Sequence, residues 1–273
     1  MIKADTKICC LIGNPVEHSL SPLIHNTGYQ ALGLNFAYTA FKVEDVEKAI
    51  EGIRGLGIRG VSITIPHKVS AMKYIDEIDD IAKEVGAINT IVNNDGVLYG
   101  FNTDYSAVLK ALKEKTVVEG KRAVLLGAGG AALAIASGLK KNGVEMMILD
   151  RPVEQAEKLA RKVGSAGFGG FDQVSEISSA NILINATPAG MWPKVDESLV
   201  PKELLHPKLA VFDIVYNPLE TKLIAEAKEA GCTVILGHKM FLYQGTEQFE
   251  LFTGHEAPVS VMEEVLLKAL EGG

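Results

Sequence analysis

The sequence predicts an α/β protein of two domains, and three observations carry that expectation. A length of 273 residues exceeds one modest domain, at roughly 100–200 residues each. Short apolar runs alternate with amphipathic stretches along most of the chain, the pattern of strands followed by helices. From Lys121 the alternation tightens into a strand, helix, strand repeat, the spacing of parallel strands joined by crossovers.

In chain order, 7–13 reads as a buried strand, followed by a loop rich in Pro and Ser. Ser21-Pro22 marks a helix start, a capping hydroxyl with proline at the first helical position, and Gly33 ends that helix. A strand at 36–43 precedes an amphipathic helix at 44–56 with apolar residues at 46, 49, 50 and 53. Another strand covers 60–65. The runs 87–92 and 97–101 are bridged by Asn93-Asn94-Asp95-Gly96, a hairpin signal. A helix over 104–115 joins the two α/β units. The tighter repeat then gives strand 122–127, helix 131–141, strand 145–150 and a helix 152–163 opened by Pro152. Strands follow at 181–186, 210–215 and 233–237, with a helix at 219–230. The stretch 238–270 reads as purely helical and is expected to fold back on the first unit.

Composition excludes several classes. With 47% hydrophobic and 22% charged residues, the chain has enough apolar surface to offset the entropy of ordering it, which excludes a disordered tail or a coiled coil. A formal net charge of −7 and the lack of a basic stripe argue against a nucleic-acid partner. Cys9, Cys10 and Cys232 show no disulfide or zinc spacing and read as small hydrophobes in strands. The first residues lack the apolar core of a signal peptide, so the expected location is the cytoplasm. The uncharged run 123–139 (AVLLGAGGAALAIASGL) approaches membrane-span length, but its four glycines fit a strand–turn–helix better, so no membrane is expected.

That turn is Gly127-Ala128-Gly129-Gly130-Ala131-Ala132, after an apolar strand and before a helix. Gly127 allows a tight turn and Gly129 a close approach of backbone to a pyrophosphate. The helix offers unpaired N–H groups to phosphates. Asp150 stands 23 positions past Gly127 at the end of the next strand, where a carboxylate accepts an adenosine ribose diol and repels a 2′-phosphate. This favours NAD, while Arg151 next door suits a 2′-phosphate and keeps NADP open. Asp150 is also placed to cap the helix at Pro152.

A second cluster lies in the first unit: 13–22 (GNPVEHSLSP), 61–68 (VSITIPHK), 86–90 (GAINT) and 100–104 (GFNTD), each at a strand end or loop mouth. Singly, Ser19 and Ser21 read as turn and cap residues, Thr64 as a strand residue, and Asn89 as a turn former. Together, these hydroxyls and amides with one lysine and one aspartate suit a small polyhydroxylated carboxylic acid on which one proton must move. No histidine pair has metal-ligand spacing, so no metal is expected, and no G-x-S-x-G elbow is present.

These residues carry a resemblance. Over essentially its full length the chain resembles the shikimate/quinate dehydrogenase family, through GNPVEHSLSPLIHN (13–26), TIPHK (64–68), GAINT (86–90), GFNTD (100–104), GAGGAA (127–132), NATPAGM (185–191), DIVYNPLET (213–221) and GHKMFLYQG (237–245). The resemblance implies a substrate-binding domain, 1–104 plus 238–273, and a Rossmann NAD(P)-binding domain, 105–237, separated by a cleft. It implies reversible reduction of 3-dehydroshikimate to shikimate, a step towards aromatic amino acids. By matching position, Lys68 and Asp104 fall on the catalytic pair, and Ser19 and Ser21 on the hydroxyls that hold the substrate carboxylate. Thr64, Asn89, Tyr216 and Gln244 fall on other substrate contacts, and Ser62 is expected among the substrate-binding residues with them. Gly127, Ala128, Gly129, Gly130, Ala131, Asp150 and Arg151 fall on the cofactor site, with Ile214 and Gly237 where the backbone nears the nicotinamide.

Two departures from the family pattern stand out. Ser62 replaces the more usual asparagine two positions before Thr64, so a roomier pocket that admits quinate is one expectation. Asp150-Arg151-Pro152 stands where NADP-dependent members show Asn-Arg-Thr, which again favours NAD. An NAD-dependent quinate dehydrogenase is therefore the second reading, and a catalytically silent dinucleotide sensor a remote third. The family includes monomers and homodimers, and either fits this chain.

Overall fold

A computed structural model describes residues 2–165 and 167–272. The chain divides into two units, residues 1–103 with 242–272 and residues 104–241, so it passes between them twice.

Unit 1 begins with β1 (Lys7–Gly13), α1 (Ser21–Ala31), β2 (Phe36–Lys42), α2 (Val46–Gly55) and β3 (Gly60–Ile63). It continues with a 3₁₀ turn at Ser70–Tyr74, then β4 (Glu77–Ile78), α3 (Asp80–Val85), β5 (Thr90–Asn94) and β6 (Val97–Phe101). The sheet runs β2-β1-β3-β5-β6-β4. β1 is parallel to both its neighbours, while β3–β5 and β5–β6 are antiparallel. Alternation along β1 sends Cys10 and Ile12 to one face, where they meet Ile50, Ile53, Val61, Ile63, Ile88 and Ile91. Both adjacent thiols, Cys9 and Cys10, are fully buried, and burial pushes each up to about 12, which keeps them protonated.

Unit 2 opens with α4 (Thr103–Lys113), β7 (Arg122–Leu126), α5 (Gly130–Lys141), β8 (Glu145–Leu149), α6 (Val153–Val163) and β9 (Gly167–Gly169). A 3₁₀ stretch at Phe171–Ser179 leads to β10 (Ile182–Asn185), and another at Lys202–Leu204 to β11 (Ala210–Asp213), α7 (Lys222–Glu229) and β12 (Thr233–Leu236). The order β12-β11-β10-β7-β8-β9 is parallel throughout and reverses beside β7. That is the doubly wound Rossmann arrangement, which receives ligands at the carboxyl ends of its strands. Its core includes Val124, Leu126, Leu149, Leu183, Val211 and Ile224. The last helices are α8 (Gly237–Thr253), which carries the chain back to unit 1, and α9 (Val259–Glu271), which packs on α1. No described helix is long and apolar enough to cross a membrane.

The α/β class and its parallel second sheet stand as the sequence predicts, with local corrections. Leu20, not Ser21, occupies the N-cap of α1, and the Ser21 amide donates to Ser19 Oγ (3.2 Å). β3 stops at Ile63, two residues short of the expected end. The hairpin turn is only two residues, Asp95-Gly96, because both take positive φ (50° and 94°), and strand pairing runs on to Asn94. α7 waits for Thr221, whose side chain caps it. The C-terminal stretch breaks at Gly254 (φ 74°) and restarts after Pro258.

Candidate active site

In unit 1 the predicted residues lie on the loop after β1, beyond β3, and around the β5–β6 hairpin. Ser19 Oγ donates to Ser21 Oγ (3.2 Å), making a hydroxyl pair at the start of α1. The Thr64 amide donates to Ile12 O (2.9 Å), so Thr64 continues beside β1 although strand pairing has ended. Four residues on, the carbonyl of half-buried Lys68 accepts the Ile88 amide (2.8 Å), which holds Lys68 next to the segment carrying Asn89.

Around Asn89 the polar groups form a directed line of donors. Tyr38 Oη donates to Ser62 Oγ (2.7 Å), and Ser62 Oγ donates to Gln248 Oε1 (2.7 Å). Gln248 Nε2 donates to Thr90 Oγ1 (3.0 Å), and Thr90 Oγ1 to Asn89 Oδ1 (2.8 Å). Asn89 Nδ2 donates to Thr103 Oγ1 (2.9 Å), which donates to the carbonyl of Gln244 (3.1 Å). Every side chain in the line is buried. Bonds of one direction polarise each other, and each member fixes its neighbour's rotamer. The line is neutral: burial pushes the Tyr38 phenol well above its ordinary range. Burial likewise lowers His25, stacked on Tyr38 at 4.3 Å, to about 3. Asp104 directly follows Thr103 in the first turn of α4 and is buried.

Unit 2 gathers the other predicted residues at the carboxyl ends of its strands. Gly127 sits at φ 99°, its amide donates to Leu149 O (2.7 Å), and a Cβ there would lie 2.9 Å from Ala186 O. Gly129 is different. Its φ of −78° is ordinary, and nothing stands within 4 Å of where a Cβ would be. It precedes α5, whose first turn, with Gly130 and Ala131, has no capping side chain. Open space above an uncapped helix N-terminus is what a phosphate requires, so these residues fit a dinucleotide. Asp150 Oδ2 accepts the Ala128 amide (2.8 Å) and Oδ1 accepts the Arg151 amide (2.6 Å), so the carboxylate orders the glycine-rich turn. It does not cap α6, which Pro152 opens without a side-chain bond. Arg151 is exposed.

After β11, the Ile214 amide donates to Asn185 O (3.0 Å). The Tyr216 ring lies 4.7 Å from that of Phe241, and burial raises its phenol above the ordinary value. Gly237 opens α8, where a Cβ would lie 2.3 Å from Val215 O, leaving room for glycine alone. No group of three metal-ligating side chains occurs among the described residues.

Sequence reasoning missed Tyr38, Thr90, Thr103 and Gln248 in unit 1, and Asn185, Asp213 and Thr221 in unit 2. Tyr38 and Ser62 are 24 positions apart and Ser62 and Gln248 are 186 apart, so no spacing links them. Thr90 and Thr103 lie inside the polar segments 86–90 and 100–104, and Asn185, Asp213 and Thr221 inside the matched segments 185–191 and 213–221, so the sequence marked their neighbourhood but not their bonds.

Comparison with known proteins bears on this arrangement. Family models described as the shikimate dehydrogenase substrate binding domain, shikimate / quinate 5-dehydrogenase and the shikimate 5'-dehydrogenase C-terminal domain match residues 11–91, 110–218 and 237–267. The shikimate dehydrogenase (NADP(+)) of Moorella thermoacetica is 45% identical over 281 residues, covering 98% of this chain and 95% of that protein. That of Methanobrevibacter smithii is 46% identical, covering 99% and 100%. A solved shikimate dehydrogenase in complex with NADP+ aligns with TM-score 0.93 at 42% identity, covering 99% of this chain and 98% of that one. Shikimate 5-dehydrogenase from Listeria monocytogenes, in complex with shikimate and NAD, aligns with TM-score 0.90 at 37% identity, covering 97% and 98%. Likeness of this degree over nearly the whole length, joined to a Rossmann sheet with an open glycine turn, places the chain in the shikimate dehydrogenase family of oxidoreductases.

Proposed function

We propose that the protein catalyses reversible reduction of the 3-dehydroshikimate ketone to shikimate, with Lys68 and Asp104 as its acid/base pair. The observation that carries this reading is the gathering of Ser19, Ser21, Thr64, Lys68, Asn89 and Gln244, from well-separated segments, into unit 1, with Asn89 and Gln244 tied through Thr103. Residues 1–104 with 238–273 then serve as the substrate domain and 105–237 as the nucleotide domain. A bound nicotinamide supplies the hydride. The Ser19–Ser21 pair binds the substrate carboxylate, while Thr64, Asn89, Tyr216 and Gln244 orient the ring. Charge develops on the carbonyl oxygen as the carbon is reduced, and Lys68 stabilises it and delivers the proton. Asp104 accepts a substrate hydroxyl and orients the lysine.

Gly127, Ala128, Gly129, Gly130 and Ala131 would hold the pyrophosphate, Asp150 and Arg151 the adenosine ribose, and Ile214 with Gly237 the nicotinamide. NAD is favoured over NADP, because the Asp150 charge at the end of β8 opposes a 2′-phosphate. Ser62 bears on the choice between shikimate and quinate. Its hydroxyl is enclosed between Tyr38 and Gln248, so the shorter side chain does not by itself argue for a larger pocket, which supports shikimate. Purified protein should consume NADH or NADPH when given 3-dehydroshikimate and oxidise shikimate faster than quinate. No turnover with either cofactor would refute the activity, and faster quinate oxidation would reverse the substrate preference.

A further inference from the structure

We propose that Asp213 is a positioning residue: with Asn185 and Thr221 it forms a buried brace that locks the loops after β10 and β11, and so fixes where Ile214 and Tyr216 present themselves. The inference rests on the reading of Ile214 and Tyr216 given above.

Asn185 and Asp213 end adjacent parallel strands and stand opposite each other in register. Asp213 is fully buried. Its Oδ1 accepts Asn185 Nδ2 (2.9 Å) and the Val215 amide (3.1 Å), and its Oδ2 accepts Thr221 Oγ1 (2.7 Å). One carboxylate thus ties three points: the end of β10, the residue between Ile214 and Tyr216, and the cap of α7. Asn185 extends the hold to the next loop, accepting from Thr187 N (3.1 Å) and Thr187 Oγ1 (2.6 Å) and donating to Ala189 O (3.3 Å). The loops also meet directly, the Trp192 amide donating to Asn217 O (3.1 Å). From the other side, the start of α8 presses on the carbonyls of Ile214 and Val215 so closely that Gly237 admits no side chain. Glycine-rich turn and brace are coupled as well, since Gly127 leans on Ala186 O, one residue past Asn185.

None of the three donors to Asp213 is cationic. A buried carboxylate held only by neutral donors is costly, and burial pushes this one up to about 6. Stability alone would favour an apolar cluster in place of the whole set, since an apolar residue at 213 by itself would leave Asn185 Nδ2, the Val215 amide and Thr221 Oγ1 buried and unmet. What the carboxylate provides and an apolar side chain cannot is simultaneous hold on three groups from separate segments.

The test uses the full chain and steady-state kinetics with 3-dehydroshikimate, at a temperature well below every variant's unfolding midpoint. Thr221→Val removes one hydroxyl donor at nearly constant volume, and Asp213→Asn alters the acceptor pair. Both should lower kcat about tenfold or more, since an ångström of misplacement costs that much, with KM for cofactor and substrate changed about threefold at most. Thr221→Ser, which keeps the hydroxyl, should restore kcat to within about threefold of wild type. A merely structural role predicts a lower midpoint with kcat per folded molecule unchanged, and that result in Thr221→Val would overturn the brace even if Asp213→Asn failed to fold. A wild-type chain without turnover would instead overturn the functional reading, and this inference with it.

Discussion

Around Asn89 in unit 1 the loops are joined by a line of neutral donors running from Tyr38 to Gln244, whereas in unit 2 the same task falls to a single carboxylate, Asp213, which gathers three donors at one point. The difference has physical consequences. A neutral line is insensitive to pH over the ordinary range, and loss of any member leaves a buried partner unmet. A carboxylate node holds more segments with one residue but carries a proton equilibrium into the core. The units also divide the proposed labour: substrate hydroxyls are met by hydroxyls and amides, phosphates by an open helix end.

The sharpest division appears in Lys68→Ala. With unit 1 supplying the proton, kcat should fall at least about 100-fold while the Kd for shikimate rises only a few-fold. Stopped-flow turnover and equilibrium binding read the two quantities, and a loss mainly in binding would remove Lys68 from the acid role.

The charged node predicts a pH signature that the neutral line lacks. Unfolded, Asp213 has the ordinary carboxylate value of 3.8; folded, it lies at about 6. Between those values the folded state holds a proton that the unfolded chain has released, so this group's contribution to stability falls as pH rises. The full loss, about 3 kcal/mol, is present above pH ~6. Asp213→Asn removes that slope. Urea unfolding of wild type and variant from pH 4 to pH 7 should show their difference in stability shifting by most of that amount in the variant's favour. A pH-independent difference would contradict the buried, ionising node. Ser62→Ala, by contrast, should cost about 1–3 kcal/mol equally at every pH in the series.

Two neighbouring glycines separate folding from binding within unit 2. Gly127→Ala puts a Cβ against Ala186 O at positive φ and should destabilise by about 1–3 kcal/mol. Gly129→Ala meets no protein atom, so its unfolding midpoint should stay near wild type while KM for the cofactor rises. Equal midpoints in the two variants would show that the turn is looser than the contact with Ala186 implies. The smallest effect belongs to Asp150→Asn, which should raise the NADPH to NADH ratio of kcat/KM by about tenfold, worth about 1.4 kcal/mol. An unchanged ratio would mean that Asp150 only orders the Ala128 turn.

Legibility in the sequence followed the regularity of the structure. Apart from β9, the strands of unit 2 could be read because they are apolar runs between polar turns, as parallel strands covered on both faces must be. β4 and β9, two and three residues long, were missed because no periodicity can register at that length. Ser21 looked like a cap by residue type. The chain instead enters α1 one residue earlier, with no side-chain cap, and Ser19 accepts the amide of Ser21 at the first helical position. Asp150 was singled out for its place after a strand, but its grip on the Ala128 amide was not visible, since that bond depends on how closely β7 and β8 pair.

Residue chemistry and local pattern therefore settled the fold class, the glycine-rich turn and the identity of the polar segments, because strand and helix periodicity, turn preference and side-chain type are properties of neighbours in the chain. Which hydroxyl meets which amide was left to packing. The Tyr38–Ser62–Gln248 contacts and the Asn185–Asp213–Thr221 brace join residues from separate elements, and their geometry exists only once strand order and helix return bring those elements together.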